Sequence, residues 1–188
     1  MTQNDRFPIT NTPLIETHKN TNEINNDFGL LDGPWIEAFW FSPQAQLRSK
    51  SNFRRVKKSS SGAGDWGSLK RFEQTISTTA RIARPSTWKI GNNNEAVSVR
   101  PMIVSVVVAK SMLDAGNFSK SVLDACEGVV FHTDASVVAS TGVSERGRIG
   151  QRCVIGFARL APGSSLENVA KAVAALSNCL VTQYQSMK

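Results

Sequence analysis

Between Met102 and Ala109 the chain carries its strongest apolar run, MIVSVVVA, and nothing else in the sequence constrains the fold as much. Ile103, Val104, Val106, Val107 and Val108 leave neither face of an extended segment polar. A strand from Val99 to Lys110 must therefore be central and covered on both sides. The next stretch, Leu113 to Val138, reads as strand end, acidic turn, short helix, second acidic turn and new strand. Asn117 to Glu127 makes about three helical turns. Phe118, Val122 and Ala125 lie on one side to face the sheet, and Asn117, Lys120 and Asp124 share another. Asn117 is the expected N-cap and Gly128 the expected stop.

The flanking chain supplies the other layers. Residues 1–33 are rich in Asn and Thr and lack apolar periodicity, so they are expected to form a disordered arm. Trp35 to Phe41 is aromatic and strand-like, and Ser42-Pro43 ends it. Asp65 is placed to cap a helix over Trp66–Ala83, with Leu69, Phe72, Ile76, Thr79, Ala80 and Ala83 as its inner stripe. Ala135–Ser140 reads as a strand, 145–150 as a basic hairpin tip and Arg152–Leu160 as the returning strand. Ser164 and Glu167 have the spacing of a capping box that opens a helix to about Tyr184. The stripe of that helix, Val169, Val173, Leu176 and Leu180, suits packing on its own domain or on a second copy. The expected class is α+β: a mixed sheet with two or three packed helices plus the C-terminal helix. The expected division is an arm (1–33), a domain (34–163) and the helix (164–188).

The charge is uneven. Residues 1–34 hold two basic and five acidic side chains, whereas the rest holds 20 basic and 10 acidic, within a net +7. A positive body suits nucleic acid or an anionic surface, or is simply soluble. The segment from Gln44 to Asp65 concentrates Arg48, Lys50, Arg54, Arg55, Lys57 and Lys58. It reads as a phosphate-contacting loop or as a solvated one, with Phe53 and Trp66 available to stack on bases. Its glycines lack the GK[ST] ending of a P-loop. Arg146 and Arg148 at the later basic turn are further candidates for DNA contact. Cys126, Cys153 and Cys179 are odd in number and form no CxxC pair, which argues against zinc and a disulfide framework and for reduced cytoplasmic thiols. The N-terminus lacks a signal-peptide layout, and no apolar run approaches the ~20 residues that cross a bilayer.

Asp114, Asp124 and Asp134 punctuate the central stretch, with Lys120 between the first two. Carboxylates beside two strand ends and a lysine on the intervening helix suit a hard cation and a phosphate. Without further context, Asp114 is equally a strand-end cap, Asp134 a turn residue, and Lys120–Asp124 a helical ion pair worth tenths of a kcal/mol. His132 is a general base or a structural turn histidine. No Ser or Cys has a visible activating partner.

Together, LDAGNFSKSVLDA and GVVFHTDASVV resemble the RusA-type Holliday-junction resolvases, small Mg²⁺-dependent homodimeric endonucleases. The family signature is DxDN, a lysine three residues on, DA, and a later DDxQV. Asp114, Asn117, Lys120, Asp124, Ala125, Asp134 and Val137 match it. WIEAFWFSPQAQLRSK is more weakly similar to the family's first strand and Pro-containing loop, and about residues 35–160 are covered. The resemblance implies that Asp114 and Asp134 bind Mg²⁺ (or Mn²⁺) and that Lys120 assists hydrolysis of branched DNA. Asn117 and the basic residues named above would contact the substrate. It also implies a homodimer of bacterial or phage origin. Two positions depart from the pattern: Gly116 stands at the second aspartate and Thr133 at the first of the later pair. Alternatives are a weakened or non-catalytic DNA-binding protein on the same fold, or a scaffolding component that assembles through its last helix.

Overall fold

The computed structural model describes residues 35–45, 47–48, 63–91, 94, 96, 100–111, 113, 115–147 and 152–187. The apolar run forms β2 (Met102–Lys110), in which seven consecutive residues from Ile103 to Ala109 are buried. Such a strand needs a neighbour on each edge and a layer on each face, and it has all four. β4 (Cys153–Leu160) lies antiparallel on one edge and β3 (Val137–Glu145) parallel on the other. β1 (Trp35–Phe41) pairs antiparallel with β4, giving a mixed four-stranded sheet of order β1-β4-β2-β3. The fold is α+β, with three helices packed on this sheet.

Two of the helices, α1 (Ala63–Ala83) and α2 (Ala115–Cys126), cover one face. Leu69, Phe72, Ile76 and Ala80 of α1 and Phe118, Val122 and Ala125 of α2 pack on Phe39, Phe41, Ile103, Val107, Ile155 and Phe157. An aromatic cluster anchors this layer: Phe157 stacks with Phe39 at 5.7 Å, and Phe39 meets Trp88 edge-on at 5.0 Å between ring centroids. α3 (Leu166–Ser186) covers the other face. Its Val169, Ala172, Leu176 and Leu180 bury against Trp40, Val104, Val106, Val108 and Ala158.

The expected hairpin between residues 140 and 152 is not formed. β3 and β4 are not neighbours; β2 lies between them. Burial explains the order. β4 has seven buried residues of eight and needs an interior place, whereas β3, with Val138, Ser140 and Glu145 exposed, tolerates an edge.

Caps also differ from expectation. α3 is capped by Ser165, whose hydroxyl accepts from the Asn168 N–H, while the Ser164 hydroxyl donates to the Ala161 carbonyl. Glu167 instead pairs with Lys171 at 2.7 Å, which holds its carboxyl below the usual range. α2 begins at Ala115, so Asn117 lies within its first turn rather than capping it. α1 begins at Ala63, three residues ahead of the expected start, and Asp65 falls within its first turn rather than ahead of it. Gly128 does end α2, at φ 72°.

Candidate nucleic-acid interface at one end of the sheet

Strand directions decide which candidates can meet. Because β2 and β3 are parallel, with Ile103 opposite Val137 and Lys110 opposite Glu145, both leave the sheet at one end. β1 leaves at that end too, and β4 enters there, with Ala109 opposite Cys153 and Gln44 bridged to Arg152. This exit end gathers the cations Lys110, Arg146 and Arg152. The segment carrying half-buried Arg48 departs from it. The Ser111 N–H donates to the Glu145 carbonyl at 3.0 Å, which ties the two exits together. Gly147 lies directly against the Lys110 side chain, so any side chain there would displace it.

α2 starts at the same end. A Cβ on Gly142 would approach the Ala115 carbonyl oxygen to 2.7 Å and both Phe118 and Ser119 to 2.8 Å. The first turn of α2 therefore rests on β3 at Gly142, and only a glycine admits it. Partly exposed Asn117 lies in this turn and exposed Lys120 in the next.

Asp134 is elsewhere. It opens a 3₁₀ turn (Asp134–Ser136) that leads into β3 at the opposite, entry end of the sheet. Thr133 caps that turn, its hydroxyl accepting from the Ala135 N–H. From Val137 to Gly142 is five residues, about 17 Å at the usual strand rise. Two aspartates that share one Mg²⁺, with Mg–O near 2.1 Å, have Cα atoms within ~11 Å. Within one chain, Asp134 is therefore out of reach of an ion held beside Ala115. The expected convergence of two acids and Lys120 includes Asp114, which lies outside the described residues; of the other two, Lys120 and Asp134 are both exposed and form no ion pair with each other. Asp134 is thus no ligand for an ion at the exit end of its own chain. Nor do three His, Cys, Asp or Glu side chains cluster anywhere among the described residues.

Of the other candidates, Asp114, Lys50, Arg54, Arg55, Lys57, Lys58 and Arg148 lie outside the described residues, as does the arm 1–33. His132 is partly buried, two residues before Asp134, and shares its distance from the exit end. The thiols are not nucleophiles. All three are buried and free, and burial pushes Cys153 up to about 12, with Cys126 and Cys179 also raised.

Sequence reasoning missed Lys110 and Arg152 as members of the cationic end. Each flanks a strand in the sequence, so the signal was present. Using it required knowing that β4 enters where β2 leaves. No helix among the described residues is long and apolar enough to cross a membrane. No family model matches the chain, and no curated protein matches it in sequence.

Proposed function

We propose that this chain acts on branched DNA as a RusA-type endonuclease. The observation that carries the reading is the exit end of the sheet. There α2, which carries Asn117 and Lys120 of the resolvase-like motif, starts at the end that holds Lys110, Arg146 and Arg152. Ligand sites of α/β units favour the carboxyl ends of parallel strands, and β2 and β3 both end here. Phosphate contacts from such cations position a nucleic acid without reading its sequence.

The reaction is hydrolysis of a phosphodiester. Water adds to phosphorus, the bond from phosphorus to one ester oxygen breaks, and that oxygen leaves with a proton derived from the water. Lys120 sits against the charge that develops on the phosphoryl oxygens. The resemblance adds Mg²⁺, which supplies charge neutralisation when bound. Because one chain cannot bring Asp134 to the exit end, the reading requires the homodimer that the resemblance implies. Asp134 of one copy then serves the motif of the other.

The test uses a synthetic four-way junction with Mg²⁺. Asp134→Asn is expected to abolish nicking while the gel shift persists, and Asp114→Asn to do the same. Mixing the two inactive variants should restore about a quarter of wild-type activity, because half the two-fold dimers are mixed and each holds one intact site of two. Undiminished nicking by Asp134→Asn would refute the role of that carboxylate. An inactive mixture would refute the shared site.

A second reading has its own support. Gly116 places no carboxylate where the family has one, and the described acids do not gather. A protein that binds junctions without cutting them has this same cationic end. It is distinguished by a metal-independent gel shift with no product from the wild-type chain.

A further inference from the structure

α1 and α3 are each 21 residues long and cover opposite faces of the sheet, yet their outer surfaces differ in charge. Along α1 the exposed positions include Lys70, Arg71, Gln74, Thr78, Arg81 and Ile82. They recur at helical spacing, form one solvent-facing stripe and include no acid. Glu73 is half-buried, with one carboxylate oxygen out of solvent. Lys70, Arg71 and Arg81 make no ion pair among the described residues. On α3 the corresponding stripe holds Glu167 and Lys171, neutralised by their own contact, and then Ala174, Asn178, Thr182 and Gln185. The helix dipole accounts for Arg81, in the last turn, but not for Lys70 and Arg71 in the helix body.

The stripe also has a direction. α1 ends beside the turn after α2, where the Arg84 guanidinium donates to the Val129 carbonyl at 2.6 Å and the Trp88 indole to the Val130 carbonyl at 2.7 Å. That is the entry end of the sheet, where Asp134 lies. From Lys70 to Arg81 is about 16 Å along the helix axis, roughly half a turn of B-form duplex.

We infer that the outer face of α1 is a backbone-tracking surface for nucleic acid. Lys70, Arg71 and Arg81 contact phosphates, and the neutral α3 face stays in solvent. The inference rests on the DNA partner of the proposed function but not on cleavage. It names residues outside the resolvase-like motif and commits to a polyanionic sugar–phosphate chain.

The experiment compares the full chain with a Lys70→Gln, Arg71→Gln, Arg81→Gln variant and with Lys171→Gln. Affinity for a labelled four-way junction and for a linear duplex is measured as salt is raised. Each lost phosphate contact lowers the slope of log affinity against log salt by about 0.9, so the triple variant should lose about 2 to 3 and weaken binding to both DNAs. Lys171→Gln should keep the wild-type slope. The substituted positions are exposed, so thermal midpoints should match.

A wild-type slope in the triple variant overturns the inference, as does an equal loss in Lys171→Gln. Binding to phosphatidylserine vesicles but to neither DNA also overturns it. If the triple variant loses DNA affinity while the wild-type chain never nicks a junction, the α1 surface stands and the nuclease reading falls. If the wild-type chain nicks and the triple variant binds unchanged, the reverse holds.

Discussion

Lys120→Ala is expected to lower single-turnover junction cleavage by about 10²- to 10³-fold, the effect typical of removing one preorganised group from a site where charge develops. Its effect on folding should be negligible. The side chain is exposed on α2, and alanine is the better helix former by a few tenths of a kcal/mol. Binding should change little, since one phosphate contact among several shifts the salt slope by only about one. The combination separates a catalytic role from a general electrostatic one. A rate loss of less than threefold with weakened binding would place Lys120 among the ordinary phosphate contacts.

The largest structural effect is expected from Phe157→Ala. Phe157 is fully buried in β4, where Phe39, Phe41 and Phe131 meet it with ring centroids 5.7–6.4 Å apart. Its truncation opens a cavity between the sheet and the α1–α2 layer, and buried Phe→Ala changes cost about 3–5 kcal/mol. Against a typical total of ~5–15 kcal/mol, the variant should be largely unfolded at modest urea. Equilibrium denaturation followed by tryptophan fluorescence measures this. A cost below 1 kcal/mol would mean that the aromatic cluster is not the anchor of this layer.

Much of this architecture was legible in the sequence. A run without polar alternation, as in β2, reads as an interior strand, and the 3.6-residue stripes of α1, α2 and α3 each found a sheet face. Connectivity was less legible. The turn after Glu145 looks like a hairpin because local chemistry records a reversal, not which strand lies beyond it. That β4 inserts between β1 and β2 results from burial summed over the whole sheet.

The candidate site suffered from the same gap. Asp114 and Asp134 are 20 residues apart, and a parallel β–α–β unit of that length places its first strand's exit and its second strand's entrance at opposite ends. The acids therefore looked adjacent in motif order while the fold keeps the ends of their strands apart. Lys120 and Asn117 were placed correctly on a common face because helical periodicity alone decides that. The stripe on α1 went unread because Lys70, Arg71 and Arg81 are spread over twelve residues of mixed sequence and align only once the helix is wound.

Incubating the full wild-type chain with a synthetic four-way junction, with and without Mg²⁺ or Mn²⁺, tests the nuclease reading most directly. The expected result is a pair of symmetric nicks that appear only with metal. A shifted but uncut junction under every metal condition would contradict it.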